Sequence, residues 1–143
     1  GIQSTDIVSI HYESTYQVQR ALDWLEPFGC KRFLAISPAT PVNVLEEVLD
    51  YIDGINLLMV NPGFAGQHMV LSTLRKAAKV QSLLEREHRE EILMEVDGNI
   101  TPEHGKTLRS LGASLFVGGT SSIFKGDLSQ YRENIRLFRE SIV

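Results

Sequence analysis

The sequence predicts an α/β protein built on a parallel sheet, and three observations carry that prediction. Short runs rich in β-branched and large aliphatic residues alternate with longer segments whose apolar residues recur three and four apart. The alternation repeats five times with recurring punctuation, glycine after a helix and Thr-Pro before one. No low-complexity stretch, linker or block of charge interrupts it, so residues 1–143 read as one domain. Strands joined by helical crossovers run parallel and need both faces covered. That leaves a doubly wound open sheet or part of a (β/α)8 barrel, which periodicity does not separate.

The first run is Asp6–His11; after it Val18, Ala21, Leu22 and Leu25 fall at helical spacing, stopped by Pro27 and Gly29. The second, Arg32–Ile36, leads to Thr40-Pro41, a capping residue followed by the residue favoured at the first helical position, and then to Val44, Leu45, Val48, Leu49 and Ile52. The third, Ile55–Val60, opens into the turn-rich string Asn61-Pro62-Gly63-Phe64-Ala65-Gly66-Gln67 and then a helix from about Leu71 to His88. The fourth, Ile92–Asp97, ends at Gly98-Asn99 before a helix opened by Thr101-Pro102 and closed by Gly112. The fifth, Ser114–Val117, enters Gly118-Gly119-Thr120-Ser121, and a last helix carries Leu128, Tyr131, Ile135, Phe138 and Ile142 on one face.

Composition narrows the function. Fourteen Lys and Arg against eighteen Asp and Glu give a net charge of -4, which does not suit a protein that binds by neutralising nucleic-acid phosphates. No apolar run approaches the roughly 20 residues of a membrane span. Cys30, the one cysteine, has no partner for an intramolecular disulfide, so a reducing, cytoplasmic setting is expected. It lies in a helix-to-strand turn, away from the strand ends that carry chemistry, and reads as packing. The chain begins at Gly1, not Met, and enters a strand within six residues, as a chain cut from a longer one would.

In both architectures ligands bind at the carboxyl ends of the strands. Those ends carry His11 and Glu13, Ser37, the 61–67 loop, Asp97-Gly98-Asn99, and Gly118 to Ser122. Glycines let a backbone approach an oxyanion closely, and several N–H groups facing one concavity form an anion nest without lysine. Three such loops suggest a phosphate site, although glycine also serves simply to turn a strand into a helix. Asp97 closes an apolar strand, where a carboxylate can hold a metal or move a proton, or merely order a loop. His11 reads as a partly buried, hydrogen-bonded strand-end residue, and His68, His88 and His104 as surface residues, since none has a zinc-type partner three or four residues away.

The strings Asn61-Pro62-Gly63-Phe64-Ala65-Gly66-Gln67, Glu95-Val96-Asp97-Gly98 and Val117-Gly118-Gly119-Thr120-Ser121-Ser122-Ile123-Phe124 resemble, in order and spacing, the ribulose-phosphate 3-epimerases. Val8-Ser9-Ile10-His11-Tyr12-Glu13 and Ser37-Pro38-Ala39-Thr40-Pro41-Val42 are similar to the same family, so the likeness covers essentially the whole chain. The resemblance implies a (β/α)8 barrel that inverts C3 of ribulose 5-phosphate and xylulose 5-phosphate. Two aspartates would move the proton on opposite faces, and a divalent ion (zinc, manganese, iron or magnesium) would stabilise the enediolate. It implies Asp97 as one of those aspartates and as a metal ligand. It also implies a phosphate held by Gly98, Asn99, Gly119 and Thr120, a sugar covered by Gly63, Phe64, Ala65 and Gly66, and a homo-oligomer working on a small sugar phosphate.

Three departures accompany the likeness. Asn99 stands where the family usually has a second glycine, Ala65 where glycine is common, and Leu58 where a strand-end methionine is usual, with one residue fewer before the loop. A hexulose phosphate, allulose 6-phosphate, therefore stands as an alternative substrate. A barrel has about 250 residues in eight units, so five units leave roughly 90 residues and three units unaccounted for. In the family those units bring the second aspartate and the other metal ligands. The expectations are a chain that belongs to a longer protein, and a fragment that is inactive and binds metal weakly by itself. A non-catalytic sugar-phosphate-binding module is the third reading.

Overall fold

The apolar runs become β1 (Ile7–His11), β2 (Lys31–Ile36), β3 (Gly54–Leu58), β4 (Leu93–Asp97) and β5 (Leu115–Phe116) in a computed structural model that describes residues 1–143. All pair in parallel in the order β1-β2-β3-β4-β5. A doubly wound sheet reverses its strand order at a switch point; here every strand lies beside its sequence neighbour, as in a barrel. The five units therefore form part of a (β/α)8 barrel, and the open-sheet alternative falls away.

Because strand side chains alternate between faces, the sheet sorts its residues by parity. Leu34, Ile36, Ile55, Leu57, Met94 and Val96 join Val18, Leu22, Leu45, Val80 and Leu108 of the helical segments in one core of 23 buried residues. The other parity, which includes Ser9, His11, Phe33, Asn56, Glu95 and Asp97, lies outside that core. The helical segments thus cover one face, and the opposite face, which would line a barrel's interior, carries the polar side chains.

Helix α1 (Val18–Leu25) runs into a three-residue 3-10 turn and stops at Gly29 with φ +66°. The longest, α2 (Ser72–Arg86), buries Ala77, Val80, Leu83 and Leu84. In α3 (Pro102–Ser110), Thr101 caps the first turn and Gly112 (φ +96°) follows the last, as the sequence predicts.

Two elements differ from expectation. Thr40-Pro41 opens a ten-residue 3-10 segment, Val42–Tyr51, with no side-chain cap. Thr40 donates its hydroxyl to Glu13 instead, and three-residue turns bring Val42, Leu45, Val48 and Tyr51 onto one face, a spacing that serves the core as well as an α-turn would. The last helix, α4 (Tyr131–Ser141), buries only Phe138, while Leu128 precedes it in an exposed 3-10 turn. It packs on α3, where Phe138 faces Gly105, while Ile135 and Leu137 of its apolar residues stay exposed.

Candidate active site

Three loops leave the carboxyl ends of β3, β4 and β5 and border one cleft of about 330 Å³. The first is pinched at its base: the Met59 N–H donates to the Asp97 carbonyl (2.7 Å) and the Met59 carbonyl accepts from Val70 (2.8 Å). Gly63 (φ +142°) and Gly66 (φ +81°) turn it, and Gln67 staples it by donating Nε2 to the carbonyls of Asn61 (2.6 Å) and Phe64 (3.0 Å). Phe64 stands at the tip, 73% exposed.

The second loop starts at Asp97, paired in register with Leu58 at the end of β3. At Gly98 (φ +114°) a Cβ would lie 2.7 Å from a Val60 methyl and 3.0 Å from the Val60 nitrogen, so glycine is required on both counts. Asn99 follows with φ +52°, in the left-handed region that asparagine tolerates better than most side chains. In the third loop the Gly119 carbonyl accepts from Ser122, Ile123 and Phe124, and Asn134 of α4 holds the carbonyls of Ile123 and Lys125.

The backbone N–H groups of Gly98, Asn99, Gly119 and Thr120 donate to no acceptor within the chain, and all four residues line the cleft. No lysine or arginine lines it. Several N–H donors without acceptors around one concavity, with no side-chain cation, have the make-up of a backbone nest, an arrangement that can take an oxyanion.

Asp97 is half-buried at the cleft wall. Burial pushes its carboxyl above the ordinary aspartate range, and the charge of His11 pulls it partly back. Glu95, two residues earlier on the same face, is raised by burial and then by the charge of Asp97. His11 is exposed and its ring makes no hydrogen bond, contrary to the partly buried, bonded histidine that the sequence suggests; it lies on the sheet face that the helical segments leave uncovered. No group of three or more His, Cys, Asp or Glu side chains is placed to share an ion. As a metal donor Asp97 therefore stands without a ligand set, and the residues present do not fit a metal centre by themselves.

Of the residues singled out in the sequence, the structure brings Phe64, Ala65, Gly66, Asp97, Gly98, Asn99, Gly119 and Thr120 to the cleft; Gly63 lies in the same loop but off its wall. Gln67 and Ser121, within the 61–67 and 118–122 strand-end stretches, reach the wall too; Phe124, inside the last string, and Val60, Ile100 and Val117, whose apolar character points to a core, carry no site reading in the sequence. His104 was expected on the surface. It is half-buried, with Nδ1 3.1 Å from the Asn99 carbonyl. His68 and His88 are exposed, and Cys30 is buried, as expected. No helix is long and apolar enough to cross a membrane.

Fold and cleft together define the class: part of a (β/α)8 barrel with its cleft at the carboxyl ends of the strands. A sequence profile of the Ribulose-phosphate 3 epimerase family matches residues 2–124, and the chain belongs to that family. It is 42% identical over 135 residues to the ribulose-phosphate 3-epimerase of Buchnera aphidicola subsp. Baizongia pistaciae, covering 94% of this chain and 58% of that protein. It is 33% identical over 131 residues to the enzyme of that name in Bacillus subtilis (92% and 60%), and 34% identical over 130 residues to that of Escherichia coli K12 (91% and 57%). The chain thus spans less than two thirds of the relatives it matches.

Proposed function

We propose that this chain forms the phosphate-binding part and one acid/base face of a ribulose-phosphate 3-epimerase. The observation that supports this best is the juxtaposition of Asp97 with four free N–H groups on two neighbouring loops. The phosphate of a ketose 5-phosphate accepts hydrogen bonds from Gly98, Asn99, Gly119 and Thr120, and the loop carrying Gly63, Phe64, Ala65 and Gly66 covers the sugar. With the phosphate fixed, C3 is presented to Asp97. The carboxylate takes the C3 proton, the electron pair moves into the C2 carbonyl, and an enediolate results. Burial suits Asp97 to this work, because a carboxylate of raised proton affinity is a stronger base toward a weak carbon acid.

Inversion needs a proton returned on the opposite face. Asp97 is the one carboxylate on the cleft wall, and no metal-ligand set surrounds it. A single acid/base gives proton exchange on one face, not epimerisation.

The test is proton NMR of ribulose 5-phosphate and, separately, allulose 6-phosphate incubated with the chain in deuterated water. Slow deuterium incorporation at C3 of the pentulose, with no xylulose 5-phosphate and so no epimerase activity, is the expected result, abolished in Asp97→Asn. Wash-in for the hexulose alone assigns the six-carbon substrate. Binding of either sugar phosphate with no exchange makes the chain a binding module, and no binding of either rejects the reading.

A further inference from the structure

Asn99 and His88 are the two residues other than glycine that hold a positive φ. His88 lies in an exposed turn after α2, whereas Asn99 borders the cleft. A left-handed conformation is disfavoured for a residue with a side chain, and asparagine lowers that cost without removing it. Its own amide makes no hydrogen bond that would hold the backbone. The only group bonded to the Asn99 carbonyl is the His104 ring, at 3.1 Å.

His104 is itself anchored. Its N–H donates to Thr101 Oγ1 at 3.2 Å, and the Gly105 N–H donates to the Thr101 carbonyl at 2.8 Å. Gly105 sits against α4, where a Cβ would come within 2.9 Å of Ile142. The imidazole therefore springs from a packed helical turn and reaches back to the loop. A carbonyl can only accept, so Nδ1 carries the proton in this contact. Fixing that carbonyl fixes the 99–100 peptide plane and, with φ at +52°, restrains the adjoining 98–99 peptide, whose Asn99 N–H donates to no acceptor in the chain.

We propose that His104 is a positioning residue for the anion site: its Nδ1–H, bonded to the Asn99 carbonyl, holds Asn99 left-handed and so keeps the Asn99 N–H free at the cleft. Asn99 and His104 together do what a glycine at 99 would do alone. The binding consequence rests on the phosphate reading above; the conformational one does not.

The test is a double-mutant cycle on the full chain with His104→Ala, Asn99→Gly and both, followed by thermal unfolding and by calorimetric titration with inorganic phosphate. His104→Ala is expected to lower Tm by about 3 °C and phosphate affinity about five-fold beside Asn99. In the Asn99→Gly background both losses shrink to less than half. His104→Gln, whose amide can donate to the same carbonyl, recovers most of the affinity. Equal losses in the two backgrounds, no loss in either, or no recovery with glutamine overturn the proposal. If the unmodified chain binds no phosphate, the phosphate reading fails, and the Tm cycle alone decides the role of His104.

Discussion

The rim of the sheet is built in two ways. After β1 and β2, the side chains of Glu13 and Lys76 close on the 37–40 segment. The Glu13 carboxylate takes the Ser37 N–H (2.8 Å) and the Thr40 hydroxyl, while Lys76, only 8% exposed, donates Nζ to the carbonyls of Ser37 and Pro38 at 2.7 Å each. Burial penalises both charges. At Glu13 the bonds from Thr40 and Ser37 outweigh it and hold the carboxyl below its ordinary range; at Lys76 burial lowers the ammonium and the Glu13 charge only partly restores it. After β4 and β5 the opposite holds: N–H groups stay free and Asp97 stays unpaired. Hydrogen bonds that close on themselves hold a fold, and those left open are what a ligand completes.

The sharpest way to break this contrast is at Gly98. In Gly98→Val the side chain has no room against Val60 and the backbone angle is strained, so a loss of about 2 kcal/mol or more is expected, read as a lower urea midpoint. Phosphate binding should be lost with it, and near-native behaviour in both would show that the second loop is not held as described. Lys76→Met should separate the two rims. It removes two charge-assisted bonds from the buried ammonium, for a loss of about 1–2 kcal/mol. Titration of the variant with inorganic phosphate should give the affinity of the parent chain; a parallel drop would mean that the Lys76 and Glu13 bonds also shape the cleft.

How much of this was legible in the sequence follows from the range of each interaction. The strands, the Thr101 cap and the Gly112 stop are written in neighbouring residues and periods, and they appear where the apolar runs and punctuation put them. The 3-10 segment was not legible, because Thr40 is drawn away by Glu13, 27 positions earlier, and Val42, Leu45 and Val48 satisfy two periods at once. The cleft was legible in its glycine strings. His104 was not: its signal is the departure from glycine at 99 together with a donor five residues on, and nothing in the sequence gives φ at Asn99. The strand order that selects a barrel over an open sheet is likewise a matter of pairing, which alternation alone leaves open.

Gln67 tests the open rim without touching the packed one. Its amide is the only side chain that ties the 61–67 loop to itself, and its two acceptors are exposed. Gln67→Ala should leave Tm within about 1 °C, as for a surface change, yet weaken sugar-phosphate binding about three- to five-fold by letting the loop spread. A fall in Tm with unchanged affinity would place Gln67 with the structural rim.

The smallest expected effect lies on Glu95 and carries a sign. Its carboxyl is raised from the ordinary value of 4.5 by burial first and by the Asp97 charge second. A carboxyl raised in the folded state favours folding while protonated in both states, and that contribution is lost as pH climbs from the unfolded value through the raised folded one. At neutral pH Glu95 is therefore a cost. Glu95→Gln keeps the shape, removes the charge, and should raise Tm by about 1–2 °C at pH 7. The two chains should converge below about pH 4, where the glutamate is protonated folded or unfolded. A gain that persists at low pH would assign the cost to packing and not to charge. A loss at neutral pH would mean that Glu95 is paired, and that the polar face beneath Asp97 belongs with the closed rim.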